Sequence, residues 1–128
     1  MELEGIHHFA FNVRNMDRSE LFYTDIMGFK ISRRYPGDIR HTELDAGNVI
    51  VALFEVPCLD QTDALERLSK QGYLHFAFQT TQDKFSAAVQ ELKDNGVNID
   101  RGPIVLGNGK SVYFKDPDGN PLEIRCPA

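Results

Sequence analysis

Four histidines and one late glutamate carry the chemistry this sequence can offer: His7, His8, His41, His75 and Glu123. Two imidazoles and one carboxylate make a facial donor set for a divalent first-row metal, with open positions left for substrate or water. His8 and His75 stand in the same local text, His8-Phe9-Ala10-Phe11 and His75-Phe76-Ala77-Phe78, 67 residues apart. Side chains alternate across a strand. Phe9 and Phe11 therefore share one face, and His8, Ala10 and Asn12 the other. The second copy repeats this, with His75, Ala77 and Gln79 opposite Phe76 and Phe78. A small residue beside a histidine leaves room for something to bind. In the last strand Leu122, Ile124 and Cys126 form the apolar face, while Glu123 and Arg125 point the other way. If the two halves curl their sheets towards each other, His8, His75 and Glu123 converge. Periodicity alone leaves alternatives open. Three inward polar groups could form a hydrogen-bonded network without metal, and His7 could ligate in place of His8, although alternation turns it the other way. His41 is a spare acid/base candidate, as histidine commonly is in catalysis, or a surface strand residue. Glu43 and Glu55 read as solvated strand residues.

These residues need elements to hold them, and the repeat supplies the elements. Each half reads strand, helix, three strands. The first half has strands near 3–13, 29–35, 39–45 and 49–57, with a helix over 16–27. Asn15 suits its N-cap, and Gly28 the left-handed residue past its end. The second half has strands near 73–80, 97–101, 110–115 and 121–126, with a helix over 82–95 capped by Thr80 or Thr81. Phe85, Ala88, Val89 and Leu92 fall on one helical stripe. The fold class expected is α+β: one domain, 1–128, of two tandem βαβββ modules, 1–57 and 72–128. A polar linker at 58–71 joins them, with Leu65 and Leu68 spaced for one or two helical turns. The stretch Gly107-Asn108-Gly109-Lys110-Ser111 imitates the end of a phosphate-binding loop, but position 104 is Ile where that pattern needs glycine, so it reads as a hairpin turn.

Composition narrows the function further. The 128 residues suit one domain, and hydrophobic content of 41% and charged content of 26% are ordinary for a soluble globular chain. Lys and Arg number 14 against 19 Asp and Glu, a net charge of −5. Without a basic run this is a poor binder of nucleic acid. No apolar stretch approaches a membrane span, and the acidic start is unlike a signal peptide. Two cysteines, Cys58 and Cys126, make no disulfide framework and fit a reducing cytoplasm. The expected partner is a small-molecule substrate, with no nucleic acid and no membrane.

Longer motifs resemble a known family. Ile6-His7-His8-Phe9-Ala10-Phe11-Asn12-Val13, Phe22-Tyr23 through Gly28-Phe29, Leu74-His75-Phe76-Ala77-Phe78, and Tyr113 through Asp116-Pro117-Asp118-Gly119-Asn120 to Glu123 together resemble the vicinal oxygen chelate superfamily. That group holds the glyoxalases, fosfomycin- and bleomycin-resistance proteins and extradiol dioxygenases. The resemblance implies paired βαβββ modules forming curled mixed sheets around a cavity. It implies a divalent metal ion, Fe, Mn, Zn or Ni, on His8, His75 and Glu123. A substrate would chelate that ion through two neighbouring oxygens in lyase, isomerase, dioxygenase or thiol-transfer chemistry. Tyr113 would orient substrate or donate a proton, and Arg125 would attract an anionic group. Two-module members commonly form homodimers, so a homodimer is expected.

Departures from the family pattern matter as well. Matching Gly47 with Gly119 puts the glyoxalases' fourth ligand at Val51, which cannot ligate, and sets His41 opposite Tyr113. Fosfomycin-resistance proteins commonly carry threonine two residues after the first ligand, and Ala10 there counts against that activity. Their loop before the tyrosine is only partly echoed by Asn108 to Ser111, and their basic C-terminal extension is not found by Ala128. The alternative is a drug- or metabolite-binding protein of the bleomycin-resistance kind, without chemistry.

Overall fold

The computed structural model describes residues 1–59 and 74–128. It divides into two compact units, Met1–Asp60 and Gln61–Ala128. The first holds β1 (His8–Val13), α1 (Met16–Leu21), a π-helical turn (Phe22–Ile26), β2 (Lys30–Tyr35), β3 (His41–Asp45) and β4 (Ile50–Glu55). The second holds β5 (Phe76–Gln79), α2 (Gln82–Asp94), β6 (Ile99–Leu106), β7 (Gly109–Lys115) and β8 (Pro121–Pro127). Each unit carries a four-stranded mixed sheet, in the orders β1-β4-β3-β2 and β5-β8-β7-β6. The first strand lies parallel to the last, and the other neighbours are antiparallel. No helix among the described residues is long and apolar enough to cross a membrane.

Local chemistry explains the first helix. The Asn15 side chain accepts from the Arg18 N–H at 2.9 Å, as an N-cap should. Glu55 reaches from the end of β4 and accepts the Met16 N–H at 2.7 Å. Glu55 is therefore a buttress of the helix N-terminus and not a solvated strand residue. The last turn widens, with Met27 N–H donating to the Phe22 carbonyl at 3.1 Å. Gly28 then takes φ +75°, which side chains rarely adopt, and releases the chain into β2. The helix buries Met16, Phe22 and Tyr23 against Phe11, Val13, Leu44, Val51 and Leu53. Tyr23 stacks between Phe11 and Phe29, with both ring centroids 6.0 Å away. In the second unit Phe85, Val89 and Leu92 of α2 are buried, as are Val112, Phe114, Leu122 and Cys126 of the sheet.

Several expectations need adjustment. The first strand starts at His8 and not near residue 3, and residues 1–7 are exposed. Thr81 takes the extended backbone of an N-cap but makes no capping bond; its hydroxyl instead serves the Asp83 carboxylate. The linker reading from residue 60 to 71, including Leu65 and Leu68, lies outside the described residues.

The registers correct the alignment of the two halves. Phe9 pairs with Val51 and Phe76 with Leu122. The counterpart of Glu123 is thus Ala52, and Val51 lies on the core face, fully buried. Likewise Tyr113 pairs with Glu123 as Glu43 pairs with Ala52, and Ser111 with Arg125 as His41 with Phe54. Tyr113 therefore corresponds to Glu43, and His41 to Ser111.

Candidate metal centre

In the second unit the open face of the sheet begins with His75, placed one residue before β5, and carries Ala77, Glu123 and Tyr113 in one row across β5, β8 and β7. Glu123 is only 4% exposed although it leaves the core face. Its Oε2 stands 2.9 Å from Nε2 of His75. The His75 ring meets the Tyr113 ring edge-on, with centroids 5.8 Å apart. The Arg101 guanidinium lies 6.0 Å from the centroid of the Tyr113 ring. One row further on, Ser111 pairs with Arg125. Ser111 is fully buried, and its hydroxyl has no hydrogen-bond partner among the described residues.

A buried carboxylate needs a cation or donors. Here it has an imidazole, and the 2.9 Å separation is that of a hydrogen bond between ring nitrogen and carboxylate. Imidazole and carboxylate are both ligand types for divalent first-row metals. Among the described residues, no group of three His, Cys, Asp or Glu side chains that could hold a metal is found. His75 and Glu123 are two side chains of metal-binding type held in contact.

In the first unit His8 opens β1 with its side chain exposed, on the face shared with Ala10 and Asn12. Its Nδ1 lies 2.9 Å from Nδ1 of His7. The expectation that His7 turns away fails because β1 begins only at His8, so strand alternation does not govern the residue before it. The row Ala10, Ala52, Glu43 crosses β1, β4 and β3. Ala52, and not Val51, occupies the register position of Glu123 in this half, and alanine carries no ligating atom. Glu43 is half-buried and accepts the Tyr35 hydroxyl at 2.8 Å. That hydrogen bond, with burial second, raises the Tyr35 pKa above its ordinary 10.0.

His41 is no ordinary surface residue. Its ring is sandwiched between Tyr35, at 4.5 Å and 11°, and Phe54, at 4.0 Å and 17°. The Arg33 guanidinium caps the stack 4.5 Å above Tyr35. Nε2 of His41 is buried with no hydrogen-bond partner among the described residues. Sequence reasoning passed over Tyr35 and Phe54 and took Glu43 for a solvated strand residue, whereas it is half-buried and accepts the Tyr35 hydroxyl. A correct strand register would have put all three around His41.

A profile of the Glyoxalase/Bleomycin resistance protein/Dioxygenase superfamily matches residues 5–124. This chain belongs to that superfamily. Metallothiol transferase FosB of Staphylococcus epidermidis is 32% identical over 97% of this chain and 82% of its own length. Glutathione transferase FosA of Serratia marcescens is 27% identical over 95% of this chain and 80% of its own. The crystal structure of a glyoxalase/dioxygenase from Nostoc punctiforme superposes with a TM-score of 0.78 at 30% identity, covering 98% of this chain and 92% of that one. Within the superfamily, therefore, this chain is similar to thiol transferases as well as to a glyoxalase/dioxygenase. The two four-stranded sheets with their helices are the superfamily's α+β fold.

Proposed function

We propose that this protein is a divalent-metal-dependent transferase that joins a small thiol to a small, oxygen-rich electrophile, with the ion held by His8, His75 and Glu123. The broader part of this is established by family and relatives. The protein is a metal-dependent enzyme of the glyoxalase/dioxygenase type whose substrate chelates the ion through neighbouring oxygens. The thiol as second reactant rests on the activities of the FosB and FosA relatives. The observation that carries the site is Glu123, a carboxylate 4% exposed on the face away from the core and drawn to within 2.9 Å of a second metal-type donor.

When bound, the ion supplies Lewis acidity towards the chelating oxygens. The chain's own residues do the rest. Ala77, beside Glu123 in the row, leaves space for the substrate. The reaction forms a C–S bond and breaks a C–O bond, and the thiol proton ends on the oxygen released. The Tyr113 hydroxyl, one strand from Glu123, hydrogen-bonds that oxygen as the proton arrives. Arg125, two residues along the same face, holds an anionic substituent. His41 serves as the acid/base group of the first module's open face. The enzyme works in the cytoplasm as a homodimer, in keeping with two-module members of the family.

The test combines metal content with turnover. Protein purified without chelator is assayed for metal and for loss of free thiol, using cysteine or glutathione with fosfomycin and related electrophiles. Near one metal per chain, lost in Glu123→Gln together with turnover, is the expected result. Undiminished ligand binding in Glu123→Gln, with neither metal nor turnover in wild type, overturns it and installs the binding-protein alternative.

A further inference from the structure

We propose that His7 is a positioning residue: its Nδ1 accepts the Nδ1–H of His8 and so commits Nε2 of His8 to ligation. This rests on the reading of His8 as a ligand. Neighbouring residues of an extended strand project to opposite faces, so two adjacent imidazoles meet only where alternation breaks. It breaks here. β1 starts at His8, and the two rings stand at 87° with centroids 5.1 Å apart and their Nδ1 atoms at 2.9 Å. The His7 backbone is no loose end, because its carbonyl accepts the Ile50 N–H at 3.1 Å. The acceptor is thereby tied to β4.

The tautomers follow from counting protons. A neutral imidazole carries one N–H, and an Nδ1–Nδ1 hydrogen bond needs one donor and one acceptor. If His7 donated, His8 would carry its own proton on Nε2, and both His8 nitrogens would be spent. If His8 donates, its Nε2 keeps a free lone pair at the far corner of the ring. Only the second arrangement leaves a ligand. A partner on the second nitrogen is what fixes the tautomer and orientation of metal-binding histidines. In this chain the partner is another histidine and not a carboxylate. The remaining N–H of His7 then has polar company. His7 lines a cleft of about 380 Å³ with Ser32, Asp45 and Asn48.

The experiment is Mn(II) titration of the metal-free full chain in wild type, His7→Ala, His7→Asn and His8→Ala. Asparagine presents Oδ1 where histidine presents Nδ1, so it keeps the acceptor without the ring. His7→Ala should weaken Mn(II) by about 10–100-fold, and His7→Asn should recover most of that loss. Long-range ¹⁵N NMR of the metal-free protein, with both rings neutral, supplies a readout independent of metal. His8 should be protonated on Nδ1 in wild type and His7→Asn, and shift towards the Nε2 form in His7→Ala. Wild-type affinity in His7→Ala overturns the proposal. So does a His7→Asn variant as weak as His7→Ala, which would make His7 itself a ligand. Wild-type affinity in His8→Ala sinks the ligand reading beneath it, and NMR then tells that failure apart by whether the hydrogen bond survives.

Discussion

Replacing Glu123 with glutamine separates a ligand from a structural ion pair. The carboxylate side chain is 5% exposed, and its imidazole partner 37%. Burying a carboxylate costs several kcal/mol, and an imidazole open to water repays only part of that. Glutamine keeps the shape and sheds the charge. The His75 ring left behind is exposed enough to be solvated by water. Metal-free Glu123→Gln should therefore be as stable as wild type or more stable, by about 0–2 kcal/mol. The metal-loaded comparison runs the other way. Ion at a hundred times its dissociation constant stabilises the wild type by about 2.7 kcal/mol. For a chain of this size that is about 8–10 °C in Tm. The variant should gain nothing. Thermal unfolding by circular dichroism, with and without Mn(II), reads all four values. A metal-free variant destabilised by more than about 1 kcal/mol would make the pair structural. A variant that kept the metal-induced shift would remove Glu123 from the ligand set.

The other predictions concern the frame. Arg34 grips Glu20 at 3.1 and 2.9 Å and Thr42 donates to it at 2.7 Å, so Glu20→Ala should cost about 1–3 kcal/mol by stranding the buried Thr42 hydroxyl; in a Thr42→Val background the cost should shrink, and equal costs in chemical denaturation would refute the coupling. The hydrogen bond from Arg34 holds the Glu20 carboxyl below its ordinary 4.5. Its stabilisation should be complete above that pH and fade as pH falls through the lowered value, an acid-limb loss that Glu20→Gln should lack. Val51→Gln buries an amide in the core, where Val51 is wholly buried, and should cost about 2 kcal/mol or more in urea titrations; an unchanged midpoint would refute the placing of Val51 on the core face. Gly109→Ala should lower Tm by about 4 °C or more, because a Cβ there runs into the Cys126 carbonyl and the Arg125 guanidinium.

Much of the molecule is legible in the sequence because it is written twice. The His-Phe-Ala-Phe repeats place two strands with one apolar face each, and Gly28 and Gly96 both adopt the left-handed turn that ends a helix. The pairing of His75 with Glu123 is readable too, because alternation within β5 and β8 assigns their faces without reference to the other half. What alternation cannot supply is the length of a turn. Four residues separate Asp45 from Ile50, but five separate Lys115 from Pro121. Matching glycines across those turns slips β4 by one residue and β3 by two, and a slip of one exchanges the faces. Val51 was thereby exchanged for Ala52, and His41 was set against the wrong partner. The His41 sandwich is illegible for a related reason. Tyr35, His41 and Phe54 come from three strands, and only the register places them in one row. The meeting of His7 and His8 depends on where β1 starts, which a continuous run of strand-like residues conceals.

The parallel pairing of first and last strands bears on how the modules assemble. The hairpins β2–β3–β4 and β6–β7–β8 close short loops, whereas β1 and β5 meet partners 42 and 46 residues away, His8 against Ile50 and Phe76 against Leu122. Closing long loops is entropically dearer, and contacts of large sequence separation slow folding. Loop-closure cost alone therefore favours a meander that forms before the first strand docks. Each proposed histidine ligand sits on, or immediately before, that late-docking strand. Until it docks, a nascent or partly unfolded module offers no convergent donors. On the proposed ligand set, ion capture would be reserved for chains whose sheets are already complete.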